Sequence, residues 1–229
     1  MRILCSVIGL VVACSMPVWS QDVIFYDGLE SGDTSGWWAP ARVGETGQKT
    51  CFDEAGAVID CAGTGQDGDI QPGVVWPSPR FVDNGDGTVI DMLTGLVWLQ
   101  DASCSELAGT DVDGATNWVT ALTAAAALAD GMCGLSDGSV AGDWRLPSIN
   151  GLQSLVDYQY CDPALSDAAG TAQWSEGDAF SGALSDYYWS STSCLCYLSS
   201  AWSVNLTDGG VYDDGKVYSL NVWPVRGGH

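Results

Sequence analysis

Hydrophobic and polar residues alternate most regularly toward the C-terminal end of the chain. Trp202, Val204 and Leu206 alternate with Ser203, Asn205 and Thr207, and Asp208-Gly209-Gly210 then supplies a turn. Tyr218, Leu220 and Val222 resume the alternation before Trp223-Pro224-Val225-Arg226. A period of two is the signature of strands with one buried face, so this region, from Tyr187 onward, predicts sheet. Earlier in the chain, Asn84-Gly85 and Asp86-Gly87 separate Phe81-Val82 from Val89-Ile90, which predicts a hairpin. A second turn over Asp91 to Gly95 leads into Leu96-Val97-Trp98-Leu99, read as a buried strand.

Two stretches carry a helical period. Across Thr116 to Ala129, Trp118, Leu122, Ala125 and Ala129 fall on one face, with Asp113 or Thr116 as caps and Gly131 as a stop. Ser148 is placed to cap a second helix with Leu152, Leu155 and Val156 facing inward and Asp157 near its end, while Pro147 holds Leu146 extended. Two short helices within an antiparallel sheet, joined by long loops, define an α+β domain.

The N-terminal part is built differently. Arg2 followed by the apolar run Ile3 to Ala13 and the small residue Ser20 reads as an export signal over residues 1–20, too short for a membrane span. Val11-Val12-Ala13-Cys14 offers a competing lipoprotein box that would leave Cys14 acylated. Both readings place the chain outside the cytoplasm, in the extracellular space, the periplasm or at the outer surface. Residues 21–79 form a glycine-rich leader, with seven glycines from Gly44 to Gly73 and a proline-stiffened exit at Pro72, Pro77 and Pro79. Within it, Asp27 to Trp37 resembles a short segment that often follows the signal in secreted proteobacterial proteins.

Charge narrows the partners. Past residue 20, six basic and 29 acidic residues leave a formal charge of −23, which repels nucleic acid and anionic lipid. Seven cysteines remain there, an odd number. In an oxidising compartment most should pair, and order and loop length suggest Cys51–Cys61, Cys104–Cys133, and Cys161 with either Cys194 or Cys196.

Several sequence runs together resemble one family. They are R-F-x-D-N-G-D-G-T-V-x-D-x-x-T-G-L-x-W at Arg80 to Trp98, D-W-R-L-P at Asp143 to Pro147, Y-W-S-S-T at Tyr188 to Thr192, and the Val225-Arg226 close. The stretch resembles the bacterial Lcl C-terminal-domain family, long catalogued as a domain of unknown function, and assigns residues 80–227 to it. The resemblance implies a C-type-lectin-like fold in which terminal strands pair, and an adhesin-like surface module. The family's namesake domain ends a collagen-like adhesin, trimerises and engages polyanionic glycans. This chain has neither collagen repeats nor positive charge, so a neutral glycan, a cationic protein or a neighbouring envelope component is the expected partner, and a homo-oligomer stays open.

Candidate chemistry is sparse. Asp83, Asp86 and Asp91 invite calcium, although Gly85 and Gly87 stand where an EF-hand would place oxygens; a structural hairpin competes, and otherwise no cofactor is expected. Asp208 to Gly215 is a weaker acidic loop, and the proline-centred triplet of calcium-dependent sugar sites is absent. Arg145 among apolar neighbours should bind a carboxylate or backbone carbonyls with Trp144 packed beneath it, and Arg226 should tie the closing strand. Trp98, Trp118, Trp144, Pro147 and Trp189 are assigned to the core. Tyr187, Tyr188, Tyr197, Trp202 and Tyr212 are candidates for a stacking platform.

Enzyme chemistry finds little footing. Gly134-Leu135-Ser136-Asp137-Gly138 matches the nucleophile-elbow pattern without its strand and helix, and the only histidine is His229. Cys194-Leu195-Cys196 would hold a soft ion such as Cu(I) if both thiols were free. The expectation is therefore a non-catalytic binding module, with a structural envelope component and a lectin-fold copper enzyme as alternatives.

Overall fold

A computed structural model of the protein describes residues 43–227. The export-signal reading, the Cys14 box, the Asp27–Trp37 segment and His229 lie outside the described residues. The chain passes through β1 (Cys51–Phe52), β2 (Val58–Ile59), α1 (Asp67–Ile70), β3 (Phe81–Asp83), β4 (Thr88–Asp91) and β5 (Leu96–Leu99). Then come β6 (Ala115–Thr116), α2 (Trp118–Ala127), α3 (Ile149–Gln153), β7 (Tyr187–Ser193), β8 (Ser200–Asn205), β9 (Gly210–Gly215), β10 (Leu220–Asn221) and β11 (Val225–Gly227). The class is α+β.

Instead of one sheet there are two principal ones, ordered β11-β5-β4-β3 and β6-β10-β7-β8-β9, beside the small β1-β2 pair. Among the described strands, β10 and β7 are the one parallel pair. The β3–β4 hairpin forms as the turn dipeptides predict. Gly85 and Gly87 adopt positive φ, and Asp83 Oδ1 accepts from the Gly85 N–H at 2.7 Å. A Cβ at Gly87 would stand 2.5 Å from the Gly134 carbonyl oxygen, so only glycine lets these loops approach.

Both helices form, with one cap changed. Asn117, not Asp113 or Thr116, caps α2 by accepting from the Thr120 N–H. Asp111 draws the preceding loop into its own turn by accepting from the Asp113 and Ala115 N–H groups, and Thr116 is committed to β6. Helix α2 ends where Leu128 turns extended, before Gly131. Ser148 caps α3 as expected, and Leu152, Leu155 and Val156 are buried.

The core centres on Trp223. Its ring meets Trp98 at 5.5 Å, Phe180 at 4.9 Å and Tyr188 at 5.5 Å between centroids. Its Nε1 donates to the Leu99 carbonyl at 2.8 Å, joining the apolar body to a satisfied polar group. Trp98, Trp144, Trp189 and Pro147 are buried, while Trp118 is half-buried.

Arg145 finds the backbone carbonyls expected of it, but the cation over Trp144 is a different residue. Arg145 donates to the carbonyls of Leu146 and Gly227 and stays half-exposed. The guanidinium over Trp144 belongs to Arg226, 5.1 Å from the ring centroid, and its Nη1 lies 2.8 Å from Asp137 Oδ2. Arg145 is bridged through its backbone to Val225, and its guanidinium is engaged by the Gly227 carbonyl on the closing strand. The fully buried arginine is Arg80. It stacks on Trp76 at 3.8 Å, contacts Asp91 at 3.7 Å and donates to the Ser154 carbonyl.

Residues 43–50 lie along the α3 end of this body. Tyr158 N–H donates to the Thr46 carbonyl, and Gln159 Oε1 accepts from the N–H groups of Lys49 and Thr50. No helix among the described residues is long and apolar enough to cross a membrane.

Candidate functional site

The acidic hairpin does not gather its carboxylates. Asp83 accepts from Gly85 and Gln100, Asp86 from the Thr88 N–H and hydroxyl, and Asp91 from Leu93 and Thr94. Asp91 is also wholly buried beside Arg80, so each of the three carboxylates is engaged in closing a turn or in a core ion pair. In the second acidic loop, Asp208 caps Gly210 and Asp214 accepts from the Ser203 hydroxyl.

The aromatic candidates separate as well. Tyr188 is wholly buried against Trp223 and its hydroxyl accepts from the Leu184 N–H, so it is not a surface residue. Burial pushes its pKa up. Tyr187 and Tyr212 meet edge-on at 5.4 Å on the face that carries Asn205 and Ser203. Trp202 projects from the opposite face, since it is one residue out of phase with Ser203. Tyr197 stands apart on the β7–β8 loop. No common platform forms.

The cysteines resolve in part as expected. Cys51–Cys61 and Cys104–Cys133 are bonded, whereas Cys161, Cys194 and Cys196 are free. The pairing of Cys161 with either partner is a correction. Asp162, next to Cys161, hydrogen-bonds to Thr207 beyond one end of β8, while Cys194 bonds to Ser200 at the other. The strand between spans roughly 20 Å, and a disulfide needs Cα atoms within about 7 Å. Both thiols of Cys194 and Cys196 are thus free, the condition set for a soft-ion pair, but they lie beyond the end of β7, with Cys194 buried and Cys196 exposed.

A cluster of exposed apolar residues was not singled out by periodicity. Leu195, Tyr197 and Leu198 on the β7–β8 loop are 86%, 63% and 76% exposed, and Val217 and Tyr218 on the β9–β10 loop 84% and 60%. Lys216 ties the two loops together. Its N–H donates to Ser199, its Nζ to the Leu198 carbonyl, and its own carbonyl accepts from Trp118 at the start of α2. The ammonium also lies 4.5 Å from the Trp118 ring centroid. The result is an ordered apolar rim around one fixed cation, on a chain that is otherwise strongly acidic. The tip sequence Leu195-Cys196-Tyr197-Leu198 between two strands was the available signal.

The described residues thus form an α+β body in which β11 pairs with β5, with two disulfides and an apolar loop rim. Residues 87–226 match the model of the Lcl C-terminal domain, and the chain belongs to that family. No curated protein matches it.

Proposed function

We propose that the protein is an exported, non-catalytic surface-interaction module of C-type-lectin-like organisation that docks a protein partner through its apolar rim. The observation that carries this is the rim itself: five projecting apolar side chains on two loops locked by Lys216. Clustered exposed apolar surface marks interaction sites, whereas single exposed residues are ordinary. Three of the five are aliphatic (Leu195, Leu198 and Val217), which suits a protein surface better than a sugar, and the edge-on Tyr187–Tyr212 pair presents little ring face for stacking. The lectin-like organisation is supported by β11 returning to pair with β5, the strand beside the β3–β4 hairpin. Two disulfides suit an oxidising compartment.

An envelope-assembly role is the second reading, favoured by the same concentration of apolar residues at one edge. Either form is tested by immobilising the oxidised protein against fractionated envelope proteins and a glycan panel. Saturable protein binding, lost in a Leu195→Ser/Leu198→Ser/Val217→Ser variant of unchanged thermal stability, is expected. Binding that survives those substitutions, or that is confined to glycans, would overturn the assignment.

A further inference from the structure

We propose that Cys104, Glu106 and Cys133 form a redox-gated site for a thiophilic divalent cation, closed while the disulfide stands and opened by its reduction. The two sulfurs and the Glu106 carboxylate already lie within 4.8 Å of one another. Glu106 is tied to both cysteines: its Oε2 accepts from the Cys133 N–H at 2.5 Å, and its own N–H donates to Cys104 Sγ at 3.4 Å. Cys133 holds φ at +51°, a left-handed conformation that a non-glycine residue adopts at a cost of about 1–2 kcal/mol. That backbone directs both its sulfur and its N–H into the cluster, and such strain concentrates where a site is built.

The cluster lies in a cleft of about 620 Å³ that Asp83 and Asp101 also line. Cys104 and Cys133 are buried, while Glu106 faces the opening. Two thiolates and one carboxylate suit zinc or cadmium, with a fourth position left toward the cleft. The acidic walls favour entry of a cation.

The chemistry balances as follows. A dithiol reductant supplies two electrons and two protons, the Cys104–Cys133 bond breaks, and the reductant leaves as its own disulfide. The cation then displaces both thiol protons and joins the two sulfurs to Glu106. The metal thereby restores the cross-link across α2 that reduction removed. A chain that meets the cation before the oxidant is held in the same fold.

Cadmium ion alone is the probe, added to the full chain carrying Cys161→Ser and Cys196→Ser, reduced with dithiothreitol and desalted without air. One cadmium per chain should bind with thiolate–metal absorption, and it should shield Cys104 and Cys133 from alkylation while Cys51 and Cys61 remain reactive. The oxidised chain should show no such absorption. Outer-shell partners alone alter metal affinity by roughly 10–100-fold, so loss of the ligand in Glu106→Gln should weaken binding by about tenfold or more. If reduction loosens the fold, cadmium should restore the native tryptophan emission. Unshielded Cys104 and Cys133, unchanged affinity in Glu106→Gln, or shielding of Cys51 and Cys61 instead would overturn the proposal.

Discussion

Arg80→Met should cost about 3 kcal/mol of stability, and the reason lies in what the guanidinium leaves behind. Arg80 and Asp91 are both fully buried, with Nε and Oδ1 3.7 Å apart. That distance is an ion-pair contact and too long for a hydrogen bond. Burial lowers the Arg80 pKa, opposed by the nearby charges of Asp91 and Asp157. Removing one member of a buried pair typically costs ~3–5 kcal/mol because the other charge is stranded. Asp91 keeps two donors, the Leu93 N–H and the Thr94 hydroxyl, which places the loss at the lower end of that range.

Methionine preserves the apolar stem, so cavity formation adds little. With a urea m-value of roughly 2 kcal/mol per M, the unfolding midpoint should fall by about 1.5 M. Tryptophan emission follows the transition, since Trp98 and Trp223 share the core. The double variant Arg80→Met/Asp91→Asn removes both charges and should be less destabilised than the sum of the singles by about 1.5 kcal/mol or more. A single-variant loss below about 1 kcal/mol, or additivity within about 0.5 kcal/mol, would refute the reasoning.

Three further outcomes follow from separate features. Cys104→Ser/Cys133→Ser opens a staple of sequence separation 29 and should cost about 3.5 kcal/mol by the loop-entropy relation, read from thermal or urea unfolding against the oxidised wild type. Native-state alkylation should label Cys161 and Cys196 at once and Cys194 only after unfolding, as peptide mapping will report; early labelling of Cys194 would contradict its burial. Burial raises the Asp157 pKa, opposed by the Gln159 N–H and by Arg80. The folded chain thus takes up this proton before the unfolded chain, and the stability it brings is present at acid pH and lost as pH rises through the folded pKa. The wild type should therefore gain on Asp157→Asn between about pH 7 and about pH 4, and a flat or reversed difference would refute the sign.

Local chemistry was legible in the sequence and tertiary placement was not. Asn84-Gly85 and Asp86-Gly87 specify their hairpin through φ and Asx hydrogen bonds that need no distant partner. Ser148 caps its own helix for the same reason. The short cysteine loops also close locally. Arg80 and Arg145, by contrast, both sit beside apolar residues, and only the fold decides that Trp76 covers the first while the second reaches out to Gly227. Tyr187 and Tyr188 differ by one step along a strand. Which of them enters the core depends on where Trp223 stands. The apolar rim has no periodic signature, because Leu195 and Leu198 are exposed by the turn between β7 and β8.

The return of the last strand also sets a clock. Trp223 donates to Leu99 across 124 positions of chain, and β11 seals β5 in the same place. Closing a loop of that length costs about 4 kcal/mol before any contact repays it. Until the tail arrives, Trp98 lacks its partner ring and β5 keeps an open edge. Such pairings fold slowly for their size. Topology therefore orders the contacts: the β3–β4 hairpin needs no distant partner, whereas β5 gains its second edge only when residues 225–227 have joined it.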